Sequence, residues 1–101
     1  MDWNSAKNKA LVEAILSLKN ASETKRFLRD LMTESEIEEF GKRLCAAQML
    51  ADGSSYSAIE KKTGLSSTTI ARVSKWLKGK DGGYRTILAR LHHHTPLKRE
   101  D

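Results

Sequence analysis

Apolar residues recur at helical spacing along most of the chain and alternating β-branched runs are few, so the pattern predicts an all-α fold. A first helix is predicted over about residues 5–19, with Leu11, Ile15 and Leu18 on one side, joined by Val12. Asn20-Ala21 breaks it, and Ser22 caps a short second helix, Glu23 to Leu31, that turns Phe27, Leu28 and Leu31 inward. Thr33-Glu34-Ser35-Glu36 reads as a capping box, in which the Thr33 hydroxyl accepts from the Glu36 N–H and the Glu36 carboxylate reaches back. Glu34, Glu36, Glu38 and Glu39 suit the positive end of that third helix. Ile37, Phe40, Leu44 and Ala47 form its buried stripe, and Gly53 stops it near Ala51-Asp52.

The segment from Tyr56 to Lys80 carries the most information. A short helix, Tyr56 to Thr63, is followed by Gly64-Leu65-Ser66 and a second helix from Ser67 to Leu77. At 100° per residue, Ile70, Val73 and Leu77 of the second helix cluster on one side, with Thr68, Ala71, Arg72 and Lys75 opposite. Two helices joined by a glycine-bearing turn, the second showing small and basic groups outward, describe a helix-turn-helix over about residues 56–78. Such a face fits a major groove. Ser67, Thr68, Thr69, Ala71 and Arg72 are its base-facing candidates; Arg72 suits guanine, and Ala71 or a threonine methyl suits thymine. Lys61, Lys62, Ser66, Lys75, Lys78 and Lys80 are candidates for phosphate contacts. Taken singly, a serine at a helix start is ordinary capping and a lysine run is a solvated face; the conjunction with the turn and the apolar spacing points to DNA. Glu60 departs from the pattern, standing where many such motifs carry a small residue. Gly79 and Gly82-Gly83 then mark a loop before a last helix, about Tyr84 to Leu91, and a loose tail from His92 to Asp101.

Charge sharpens this picture. Residues 1–53 carry eight Lys/Arg against nine Asp/Glu, whereas residues 54–101 carry ten against four. From Lys61 to Lys80 there are six basic residues and no acidic one. That segregation implies one face for a polyanion, here double-stranded DNA. With 101 residues the chain is expected to form a single domain, small enough that a second copy would help complete its core. A lone cysteine, no signal-like segment and no apolar run of about 18 residues imply a cytoplasmic, bacterial setting without a membrane.

Leu31 to Arg43, followed by the helix-turn-helix through Lys78, resembles the bacterial Trp repressor family, and more closely its YerC/YecD-type Trp-repressor-related members. The resemblance covers roughly residues 30–91. It implies a six-helix, intertwined homodimer in which the first, second, third and last helices build a shared core and the fourth and fifth form two DNA-reading heads. The docking geometry belongs to that family. In its tryptophan-binding members two arginines sandwich the indole and a threonine holds the ligand's polar end; Arg43, Arg72 and Thr33 match them. Val73 stands where those members have glycine, and Trp76 where they have a serine. Both add bulk in the matching effector pocket, and Trp76, one turn beyond Arg72, is placed to stack on that guanidinium. The expectation is therefore a transcriptional repressor that needs no tryptophan and no other cofactor. A tryptophan- or metabolite-gated repressor is the alternative, and a helical module meeting an acidic protein or RNA is an alternative of another class.

The remaining conspicuous groups suggest no chemistry. Trp3 reads as core packing and Cys45 as a buried, inert thiol. His92-His93-His94 cannot converge on one tetrahedral ion from a regular helix, so no metal is expected. No catalytic residue set can be assembled, and an enzyme is not expected.

Overall fold

The computed structural model describes residues 1–94, which form six α-helices and no strand: α1 (Ala6–Leu16), α2 (Ala21–Leu31), α3 (Glu34–Ala51), α4 (Tyr56–Thr63), α5 (Ser67–Lys78) and α6 (Gly83–His94). The all-α expectation holds. Two compact units can be described, Met1–Ile37 and Glu38–Asp101. No described helix is long and apolar enough to cross a membrane.

In the first unit, side-chain caps set the helix ends. Ser5 Oγ accepts from the Asn8 N–H at 3.2 Å and starts α1 at Ala6. The Ser17 hydroxyl donates to the Ala14 carbonyl at 2.7 Å just past its end, so α1 is shorter than predicted. Asn20, not Ser22, caps α2: its side chain accepts from the Glu23 N–H at 2.9 Å, while Glu23 accepts from the Lys19 N–H at 3.0 Å. The capping box of α3 forms as expected, with the Thr33 N–H donating to Glu36 at 2.9 Å and the Glu36 N–H donating to Thr33 Oγ1 at 3.1 Å.

The expected inward stripes of α1 and α2 are only partly covered, with Leu18, Phe27 and Leu28 half-buried. Neither helix buries a residue. Leu11, Val12, Ile15, Leu16 and Leu31 are all exposed, and Trp3, expected in the core, is 65% exposed.

The second unit holds the core. Ala46 and Ala47 of α3 join Ile59, Leu65, Ile70 and Val73 in one buried cluster, edged by Met49, Leu50, Tyr84 and Leu88. Full burial of Ile59, Ile70 and Val73 contributes roughly 1.5–3 kcal/mol each. Only Ala47 of the predicted α3 stripe lies in this cluster: Phe40 and Leu44 are exposed, at 46% and 37%. Both alanines are fully buried, so larger side chains there would have to displace their neighbours. Cys45 is half-buried instead of sealed inside. At the end of α3, the Ser54 N–H donates to the Met49 carbonyl at 2.9 Å and the Gly53 N–H to that of Leu50 at 3.0 Å, a Schellman ending. Helix α6 runs on through His94, three residues beyond the predicted end; the rest of the expected loose tail, residues 95–101, lies outside the described residues.

The buried Thr63 ties α4 to the turn. Its hydroxyl donates to the Ile59 carbonyl at 2.7 Å and accepts from the Leu65 N–H at 3.1 Å. Thr63→Val, nearly the same shape, orphans that N–H and is expected to lower stability by about 1–3 kcal/mol in urea unfolding. Thr63→Ser should retain most of it. Equal stabilities for the two variants would contradict this role.

Candidate nucleic-acid interface

Local rules build the head from α4, its turn and α5. Ser55 caps α4 by accepting from the Ala58 N–H at 3.1 Å. The chain then turns at Gly64, whose φ of 76° is left-handed and whose N–H donates to the Glu60 carbonyl at 2.8 Å. Ser66 starts α5 by accepting from the Thr69 N–H at 3.2 Å. Leu65, between the two helices, points into the core. Glu60, the residue out of pattern, is exposed, so its carboxylate does not interfere with the packing of α4 on α5.

The α5 face predicted to be inward is inward: Ile70 and Val73 are fully buried, Ser74 is buried beside them, and Leu77 is half-buried. Opposite, Ser67, Thr68, Ala71, Arg72 and Lys75 are exposed. Thr69 is half-buried and its hydroxyl accepts from Ser66 at 3.1 Å, so Ser66 and Thr69 are already engaged with each other. Lys61, Lys62, Lys78 and Lys80 are also exposed. The two ion pairs among the described residues, Arg29–Glu34 and Arg43–Glu39, involve none of these cations. The head therefore carries several exposed cations that make no ion pair among the described residues.

The residues of the matched effector pocket have separate settings. Thr33 belongs to the first unit and serves the α3 cap. Val73 packs in the core of the head, and Arg72 is exposed. Trp76, 48% exposed, lines an open groove of about 690 Å³ with Leu44, Tyr84 and Ile87. The expected stacking of Trp76 on Arg72 does not form. The one cation–π pair among the described residues is Arg43 over Phe40, 5.5 Å from the ring centroid. Arg43 Nε lies 3.5 Å from a Glu39 oxygen without hydrogen-bond alignment, which leaves that buried N–H without a hydrogen-bond partner.

One side-chain contact at the end of α5 carries no sequence signal. Arg85 on α6 donates through Nη1 to the carbonyls of Leu77 at 2.6 Å and Gly79 at 2.7 Å, at the end of α5. An arginine six to eight residues past a helix end carries no sequence signal for such a contact; only the fold of the Gly79–Gly83 loop creates it.

These features define a helix-turn-helix protein with a basic reading head, and comparison with known proteins places it further. The family model for the Trp repressor protein matches residues 6–92, and the chain belongs to that family. It is 42% identical over 81 residues to the uncharacterized protein YerC of Bacillus subtilis (strain 168), covering 80% of this chain and 78% of YerC. The crystal structure of a TrpR-like protein from Eubacterium eligens ATCC 27750 superposes with a TM-score of 0.84 at 36% identity, covering 96% of this chain and 97% of that one. A crystal structure from Staphylococcus aureus gives the same TM-score and identity over 91% of this chain and 95% of its own. The family and the six-helix, all-α fold of the chain read from the sequence are thus confirmed.

Tyr84, on the groove wall, reports on Arg43. Burial raises its hydroxyl above the usual 10.0, and the nearby Arg43 charge partly opposes that rise. Tyr56→Phe leaves Tyr84 as the only tyrosine, and its ultraviolet titration should centre above 10.0. Adding Arg43→Met should move the midpoint higher still. An unchanged midpoint would show that the Arg43 charge does not reach Tyr84.

Proposed function

We propose that this protein is a sequence-specific, DNA-binding transcriptional regulator that acts as a homodimer, occupying an operator and blocking polymerase without obligatory tryptophan. The observation that carries this reading is the division of α5. One face is sealed into the core through Ile70 and Val73, and the other offers Thr68, Ala71 and Arg72 to solvent. A helix fixed in this way presents its outer groups at a set angle, as major-groove reading requires. Ser67 and the amino end of α5 suit a phosphate, with Lys61, Lys62, Lys75, Lys78 and Lys80 around them.

The homodimer is supported by apolar surface that this chain leaves uncovered: Leu11, Val12, Ile15 and Leu16 on α1, Leu31 on α2, Phe40 and Leu44 on α3, and Ile87 and Leu91 on α6. Exposure on that scale marks an interaction surface. A second copy offers the same unsatisfied faces, which suits a two-fold pairing. Independence from tryptophan is supported by Val73, whose side chain fills core space where the family's tryptophan-binding members have glycine.

Selection from a randomised duplex library should yield a preferred sequence. Against it, Arg72→Ala is expected to lose about 1–3 kcal/mol and relax specificity at one position. Lys61→Ala and Lys78→Ala should instead weaken all sequences alike, each reducing the salt slope by about 0.9. An unchanged sequence preference in Arg72→Ala would remove that residue from base reading. Sedimentation at micromolar concentration should return twice the chain mass, and a folded monomer there would remove the two-headed arrangement. Calorimetric titration with L-tryptophan should give no saturable heat; micromolar binding that also tightens the DNA complex would establish effector control.

A further inference from the structure

We propose that Arg85 is a positioning residue for the reading helix: its guanidinium clasps the end of α5 to α6 and fixes the angle of the head from within the chain. The proposal rests on the DNA-binding reading only for its functional consequence. The clasp itself stands on geometry.

Helix α5 ends at Lys78, and Gly79 leaves in an extended conformation with φ −71° and ψ 169°. The Gly79 N–H still donates to the Trp76 carbonyl at 3.1 Å, but no further helical turn follows to satisfy the last carbonyls. Arg85 satisfies two of them, those of Leu77 and Gly79, through one nitrogen. Charge-assisted bonds to carbonyls at the negative end of a helix are the stronger kind. The same cation sits in the first turn of α6, where its own helix dipole disfavours it. Its placement therefore serves α5 and not α6.

The connecting loop is shaped to admit it. Gly82 has φ 69°, and a Cβ there would lie 3.1 Å from Arg85 Nη2, so a side chain would be strained and would crowd the guanidinium. Helix α6 packs on α5 alongside this clasp, with Tyr84 and Leu88 against the core cluster. The sequence suggests Trp76 on Arg72 as the fixed prop for the head. That stack is absent, and among the described residues Arg85 is the side chain that joins α5 to α6 by hydrogen bonds. Arg85 is itself exposed, and its Nη1 alone makes both bonds to the end of α5.

The test compares the full-length chain with Arg85→Met, which retains the aliphatic stem, and with Arg85→Lys. Binding is measured to the duplex selected by the unmodified protein and to a random duplex of equal length, across a salt series. Amide hydrogen exchange is followed over residues 76–83 without DNA. Arg85→Met should lose about ten-fold on the selected duplex, with little change on the random one, an unaltered salt slope and faster exchange. Arg85→Lys should recover part of the loss, since a lysine retains the charge without the fork. An equal loss on both duplexes with the slope reduced by about 0.9 would make Arg85 a phosphate contact and overturn the proposal. Unchanged discrimination would overturn it as well. If the unmodified protein prefers no duplex, the DNA reading fails separately. Exchange then decides the clasp alone: faster over 76–83 in Arg85→Met supports it, and unchanged exchange sinks it.

Discussion

The contact between two alanines of α3 and the apolar faces of α4 and α5 decides what the rest of the second unit can do. Ala46 and Ala47 are fully buried in one cluster with Ile59, Ile70 and Val73, and Leu65 is nearly so. Because that cluster fixes the inward face of α5, it also fixes the outward one. Thr68, Ala71 and Arg72 face solvent as a consequence of where Ile70 and Val73 are buried. A substitution that enlarged Ala46 or Ala47 would rotate or lift the head, since a packed interior has no slack for extra methylene groups.

The same economy leaves the rest of the chain short of core. Six residues make up the buried apolar cluster, while large apolar side chains on α1, α2, α3 and α6 stay in solvent. They recur at helical spacing, the pattern of a face that another surface would cover. Reading the protein as a homodimer thus follows from a deficit in the single chain as well as from its family. On that proposed reading the uncovered helices would supply association and the head recognition.

Much of this was legible in the residues. The capping box at Thr33 and Glu36, the glycine turn at Gly64 and the wheel of α5 all depend on local rules, and each appears as read. Helix ends were less legible where two caps compete: Asn20 and Ser22 both suit the position, and Asn20 takes it. Burial on α1 to α3 was misjudged because helical spacing identifies an apolar face without saying which chain covers it. Trp3 and Phe40 are exposed for that reason. Long-range polar contacts were not legible at all. The proximity of Arg72 and Trp76 along α5 suggested a stack, yet Arg43 sits over Phe40 and Arg85 reaches back to Leu77 and Gly79. Neither arrangement can be read from spacing, since rotamer choice and loop path decide both.

The central claim is that two such heads, carried by a symmetric pair of chains, read DNA together. Hydroxyl-radical footprinting on a duplex selected by the protein tests it most directly. Two protected patches on one face of the helix, centred about one turn (roughly 34–36 Å) apart and related by a dyad in the sequence, are the expected result. A single patch, or protection spread without regard to sequence, would contradict it.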